Sequence, residues 1–250
     1  MNMKNIILGI IVLIILYVLY LYYFGDASKK ALVGMHDATV QTTVSAGSMP
    51  PGTSSNYTFS IWVYVSDWNY GIGKFKPVFV RGKSGGPPVP VCPMVKFDKN
   101  VNNLIIDHIY GPVKGSDANA NFGLQQITLE NIPLQKWTNI IMSLNNRAMD
   151  LYLDGKLVKT TYFKGVPAVL SDADLTLTPS MSGTKSGDYT NGFKGYTAKF
   201  LYYSRAINPR EAYTIYKEGF GGNWLSDLFN KYKIKIAFMK GAEEVNSFEI

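Results

Sequence analysis

At 250 residues, with 46% hydrophobic and 14% aromatic side chains, the chain carries enough apolar material for one large β domain or two small ones. Charged residues make up only 17%, and the net charge of +7 is spread along the chain without a basic run, so nucleic acid is not expected as a partner. Cys92 is the single cysteine, which excludes an intramolecular disulfide and marks it as a small core hydrophobe.

Ile6 to Phe24 is an uncharged, almost wholly apolar run interrupted only by Gly9. As a helix it would span about 29 Å, close to the ~30 Å hydrocarbon thickness of a bilayer. Tyr17, Tyr20, Tyr22 and Tyr23 gather toward its end, as interfacial aromatics do. A cleavable signal peptide, with Gly25 and Ala27 before the cut, is the competing reading. The run exceeds the core of a typical signal, which favours a retained single-pass anchor over residues 1–24, with the lipid bilayer as its partner. Lys4 on one flank and Lys29 and Lys30 on the other, offset by Asp26, leave the orientation nearly balanced.

Residues 25–35 read as a polar stalk. Ala38 to Val44 is a plausible first strand, and Met49 to Ser55 is a turn-rich break. Tyr57 to Val65 follows, with Phe59, Ile61, Val63 and Val65 on one face and Trp62 and Tyr64 on the other, so both faces are expected to be covered. Further strands are predicted near 75–81, 92–98, 103–110, 125–131, 137–144, 149–153, 156–162, 174–178 and 193–204. No sustained helical period interrupts them, which indicates an all-β sandwich. Asp154-Gly155 suits a two-residue type I′ hairpin turn. Asn208-Pro-Arg-Glu211 opens a short helix with a capping box, and Gly219 ends it.

Four of these segments, taken in order, resemble concanavalin A-like, laminin-G-like jelly rolls. Phe59-Ser-Ile-Trp-Val is similar to the opening strand, although one residue shorter before the tryptophan. Trp137-Thr-Asn-Ile-Ile resembles the "W-x-x-V" strand, and Leu151-Tyr-Leu-Asp-Gly-Lys-Leu-Val the hairpin. Ser204-Arg-Ala-Ile-Asn-Pro-Arg-Glu211 resembles the closing helix entry. The resemblance implies one jelly-roll domain over 36–220. Trp62 to Tyr70 behind a single anchor further resembles membrane-anchored virion proteins of large icosahedral DNA viruses. That likeness implies a minor capsid component linking an internal membrane to the capsid shell, with other virion proteins as partners.

Glycosidases of this fold take two carboxylates from one strand motif. The six glutamates, Glu130, Glu211, Glu218, Glu243, Glu244 and Glu249, form no such motif. Asp150 and Asp154 alternate on one strand, but Asp154 belongs to the turn. His36 and His108 lack metal-ligand spacing, and Arg81 to Gly86 departs from a phosphate-binding loop and reads as a mobile basic loop. No enzyme activity, metal or cofactor is expected. Asp172, Asp174 and Asp188 are the loop candidates for calcium. Exposed aromatics Trp68, Tyr70 and Tyr110 are the candidate glycan contacts of a lectin-like alternative. In the C-terminal arm, 221–250, Trp224, Leu225, Leu228, Phe229 and Tyr232 fall along one helical face, and 231–240 alternates like a strand. Trp224, Leu228, Phe229 and Tyr232 are therefore candidate partner contacts.

Overall fold

The computed structural model describes residues 9, 12–17, 19, 26–51, 56–82, 91–111, 122–169, 172–181, 186–221, 235–240 and 243–249. The strands in chain order begin with β1 (Lys29–Val33), β2 (His36–Asp37), β3 (Thr42–Val44), β4 (Tyr57–Asp67) and β5 (Lys76–Gly82). Next come β6 (Val91–Phe97), β7 (Leu104–Gly111), β8 (Gly123–Leu129), β9 (Thr138–Asn145) and β10 (Ala148–Leu153). Then follow β11 (Lys156–Tyr162), β12 (Val166–Pro167), β13 (Leu175–Leu177), β14 (Lys194–Tyr203) and helix α1 (Pro209–Lys217).

Two seven-stranded antiparallel sheets face one another. The first has the order β1-β14-β4-β9-β10-β11, with β2 also on β14. The second has the order β12-β7-β6-β5-β13-β3, with β8 also on β7. This is the sandwich expected from the alternating segments. Phe59, Ile61, Val63 and Val65 of β4 point into the core and meet Phe79, Val95, Phe97, Leu104 and Ile106 of the second sheet. Each such fully buried side chain stabilises the fold by roughly 1.5–3 kcal/mol.

The other face of β4 is also covered, by α1 and the residues after it. Trp62 stacks on Tyr216 at 5.6 Å, Tyr64 tilts against Trp137, and Trp137 stacks on Phe220 at 4.5 Å. Ile207, Ala212 and Ile215 close a second, smaller core against Ile141, Tyr152, Leu201 and Tyr203. The helix starts where its sequence says it should. Asn208 Oδ1 accepts from the Glu211 amide at 2.9 Å, and Glu211 accepts from the Asn208 amide at 2.9 Å. Gly219, at φ 73°, takes the left-handed conformation that ends it.

The β10–β11 turn has positive φ at both central residues, Asp154 at 49° and Gly155 at 73°, as a type I′ turn requires. Asp154 Oδ1 also accepts from the Asn139 amide at 2.9 Å, which ties the turn to β9.

Several features depart from the sequence reading, among them the short strand β12, where none is expected. The stalk segment contains β1, which pairs with β14 from Lys29↔Tyr203 to Val33↔Phe200. The stretch 38–44 contributes only β3, after β2 has formed at 36–37. Of the segment Arg81 to Gly86 read as a loop, Arg81 and Gly82 belong to β5, and 83–86 lie outside the described residues. Arg81 lies in β5 at 3% exposure, with its guanidinium over the Tyr202 ring.

Within Ile6 to Phe24, residues 9, 12–17 and 19 are described, all helical, and the apolar side chains from Val12 to Tyr17 and at Leu19 are exposed. Among the described residues no helix is long and apolar enough to cross a membrane. In the C-terminal arm, β15 (Lys235–Lys240) falls within the alternating stretch 231–240 and pairs as an antiparallel hairpin with β16 (Glu243–Glu249), where no strand is expected from the sequence. Trp224, Leu225, Leu228, Phe229 and Tyr232 lie outside the described residues.

Candidate ligand-binding face

The two sheets present different outer faces. That of the first is closed by α1. That of the second carries a set of polar and aromatic side chains, placed by strand register. Asp107 of β7 sits opposite Gln126 of β8 and Met94 of β6. Lys96 lies two residues beyond Met94, on the same face, and so reaches Asp107 diagonally. Lys96 Nζ pairs with Asp107 Oδ2, and Gln126 Nε2 donates to Asp107 Oδ1 at 2.9 Å. Lys96 and Asp107 are 4% and 7% exposed although they point away from the inter-sheet core. A buried charge pair of this kind is tolerated only when partnered, and the second hydrogen bond to Asp107, from Gln126, adds to that satisfaction.

An aromatic pair borders these charges. Phe75 and Tyr189 lie with ring centroids 5.4 Å apart, and their backbones form a parallel bridge. Phe75 donates its amide to the Asp188 carbonyl at 2.8 Å, and Thr190 donates its amide back to the Phe75 carbonyl at 2.9 Å. Lys96 Nζ stands 4.8 Å and Lys99 Nζ 4.7 Å from the centre of the Phe75 ring, within cation–π range. Lys99 also pairs with Asp188 at 3.2 Å. Phe75 and Tyr189 are half-buried, while Gln126 and Asp188 are exposed. The cluster thus offers aromatic faces, hydrogen-bond donors and a carboxylate to solvent, over a fixed charged floor.

The predicted aromatics are divided between the two ends of the sandwich. Trp68 and Tyr70 lie on the loop that leads to Phe75. Trp68 is half-buried, edge-on to Phe97, and its ring covers the ammonium of the fully buried Lys76 at 4.4 Å. Lys76 Nζ also donates to the Gly71 and Lys74 carbonyls, both at 3.4 Å, and its burial lowers its pKa. Tyr70 donates its hydroxyl to the Asn191 carbonyl at 3.3 Å, joining this loop to the segment that carries Tyr189. Tyr110 lies at the far end of β7. Its ring packs so closely over Gly123 that a Cβ there would come 2.3 Å from it. Six steps along the strand, roughly 20 Å, separate it from Leu104.

Sequence reasoning did not single out Phe75, Lys96, Lys99, Asp107, Gln126 and Tyr189. The available signal was two isolated charges, Lys96 and Asp107, inside otherwise apolar strands.

The calcium candidates stand apart. Asp174 accepts from the Ala46 amide at 2.9 Å, and Asp188 is engaged by Lys99. Among the described residues no three acidic, histidine or cysteine side chains gather to hold a metal ion. Asp150 accepts from the Thr160 hydroxyl at 2.6 Å and Asp154 belongs to its turn, so both have structural partners. Burial pushes the Cys92 thiol up to about 12, which keeps it protonated.

Residues 37–212 match a laminin G family model described as the concanavalin A-like lectin/glucanases superfamily. Sequence comparison with curated proteins gives no match. Among solved structures, the botulinum neurotoxin serotype D ligand binding domain in complex with N-acetylneuraminic acid is similar. The two share 11% identity with a TM-score of 0.52, covering 76% of this chain and 43% of that one. The receptor binding domain of botulinum neurotoxin D is comparable, at 11% identity and a TM-score of 0.51, with coverages of 75% and 44%. The chain therefore spans less than half the length of either toxin domain, and at these identities the likeness is one of fold.

Proposed function

The chain belongs to the concanavalin A-like lectin/glucanases superfamily, and on that premise we propose that it is a non-catalytic, membrane-tethered recognition module that binds glycan on the outer face of its second sheet. The observation that carries this reading is the Phe75–Tyr189 pair, with Lys99, Asp188 and Gln126 beside it over the Lys96–Asp107 floor. Sugar rings present apolar C–H faces to aromatic rings and hydroxyls to carboxylates and amides, and this cluster supplies both. The toxin domain of similar fold was solved with N-acetylneuraminic acid, which makes sialylated glycans the first class to test. Tethering through Ile6 to Phe24 is supported by the exposed apolar side chains of Val12 to Tyr17. Six consecutive residues point to every side of a helix, and a helix apolar all round needs a lipid or protein surrounding.

A glycan array probed with the full chain in nanodiscs tests this reading. Specific binding that Tyr189→Ala abolishes, with unfolding temperature unchanged, is the expected result. Absence of any bound glycan would remove it.

A second reading, favoured by a different observation, is a minor capsid component of a large DNA virus that links an internal membrane to the shell. The segment next to the apolar run is fastened to the domain, since Asp26 pairs with Arg205 at 3.0 Å and β1 pairs with β14. Such a stiff mounting suits a load-bearing link. Locating the chain beneath the outer shell of purified particles would support this reading, and its absence from particles would end it.

A further inference from the structure

Helix α1 has two faces. Ala212 and Ile215 are buried against the first sheet. Arg210, Tyr213, Thr214 and Lys217, at spacings of three, four and seven, form an exposed outward stripe. Tyr213 is 50% exposed, with Lys217 Nζ 5.8 Å from its ring centre, and Phe220 just beyond the helix is 39% exposed.

The acidic residues beside this stripe are already paired. Glu211 is bound by Arg205 at 2.8 Å, and that hydrogen bond holds its carboxyl below the usual range. Glu218 is bound by Lys199 at 2.9 Å and lies 3.9 Å from Lys29. Arg210 has no ion-pair partner among the described residues, so the stripe is left net cationic.

Both ends of α1 are tied to the start of the described body. At the N-terminal end, Arg205 bridges Glu211 to Asp26 and donates its Nε–H to the Ser28 hydroxyl at 3.1 Å. At the C-terminal end, Glu218 reaches Lys29. The apolar run ends at Phe24, two residues before Asp26, which limits the separation to about 7 Å. A bilayer holding Ile6 to Phe24 therefore has its surface close to Asp26 and, through the clamp, close to the N-terminal end of α1.

We infer that the outward stripe of α1, with Arg210, Tyr213 and Lys217, rests on the bilayer surface and contacts anionic lipid headgroups, held there by the Asp26–Arg205–Glu211 clamp. Cations and an amphipathic aromatic on one helix face next to an anchor are the groups that favour an anionic interface. The inference rests on the membrane-tethered reading and adds an orientation. The second sheet, with its candidate ligand face, is turned away from the lipid.

The test uses the full chain in nanodiscs carrying headgroup-attached quenchers, with a fluorophore on Thr214→Cys or on Leu124→Cys. Thr214 is exposed in the stripe and Leu124 is exposed on β8 of the second sheet, and native Cys92 is buried. The expected result is loss of fluorescence at position 214 but not at 124. This loss should be greater with phosphatidylglycerol than with phosphatidylcholine alone, and should be reduced by Asp26→Lys, which reverses one exposed arm of the clamp. Equal quenching at both positions, no quenching at 214, or indifference to lipid charge would overturn the inference while leaving the tether intact. Failure of the chain to enter nanodiscs would instead bring down the tethered reading.

Discussion

Tyr57 and His108 join the two sheets through the core. The Tyr57 hydroxyl of β4 lies 2.7 Å from His108 Nε2 of β7. His108 Nδ1 lies 2.8 Å from the Ile109 carbonyl. A carbonyl only accepts, so Nδ1 carries the proton, Nε2 is the acceptor and the Tyr57 hydroxyl donates to it. Burial lowers the His108 pKa to about 4, against the opposing pull of its bond to Ile109.

A pH dependence of stability follows from that burial. Because the folded pKa lies below the unfolded value, the unfolded chain takes up a proton that the native chain refuses. The His108 contribution is complete above about pH 6.5 and is lost as pH falls toward 4, a total of about 3 kcal/mol. Thermal unfolding of the detergent-solubilised chain should show a falling midpoint across that window, and His108→Gln should flatten the slope. An unchanged slope in His108→Gln would assign the effect elsewhere.

Gly155→Ala should destabilise the domain by about 2 kcal/mol or more, since it combines left-handed strain with overpacking. The added Cβ would meet Tyr216 Cβ at 2.8 Å and the Tyr213 backbone at 3.1 Å, pressing the hairpin against α1. Circular dichroism melting of the variant is the check. Gly73→Ala, with φ 80° but open space around its Cβ, is the control and should cost less.

Asp107→Asn should cost about 3–5 kcal/mol, because it leaves the buried Lys96 ammonium without its counter-charge. Replacing both partners, Lys96→Met with Asp107→Leu, should recover most of that loss, since two apolar groups replace a desolvated pair. Denaturant midpoints of the three proteins decide this. A double variant no more stable than the single one would contradict the pair's isolation from solvent.

The fold was largely legible because its signals are local. Alternation placed Phe59, Ile61, Val63 and Val65 on one face, and the Asp154-Gly155 turn and Asn208 cap are written in adjacent residues. The cover over Trp62 could be anticipated, but its source could not. Tyr216 and Phe220 reach it from more than 150 residues away, through a pairing that depends on where α1 folds back. Strand β1 was missed because Lys29 and Lys30 open it and its partner is β14, a contact with no local trace. The candidate face was hidden for a related reason. The diagonal between Lys96 and Asp107, and the meeting of Phe75 with Tyr189, are set by register and loop packing, which no spacing in the sequence encodes.

The most direct measurement is hydrogen–deuterium exchange of the nanodisc-held chain, with and without a saturating glycan identified on the array. Binding on the second sheet predicts added protection in peptides covering 72–75, 104–111 and 186–190, with 29–33, at the edge of the first sheet opposite β11, unchanged. Protection confined to 29–33 or to α1, or none at all with glycan bound, would contradict the assignment of that face.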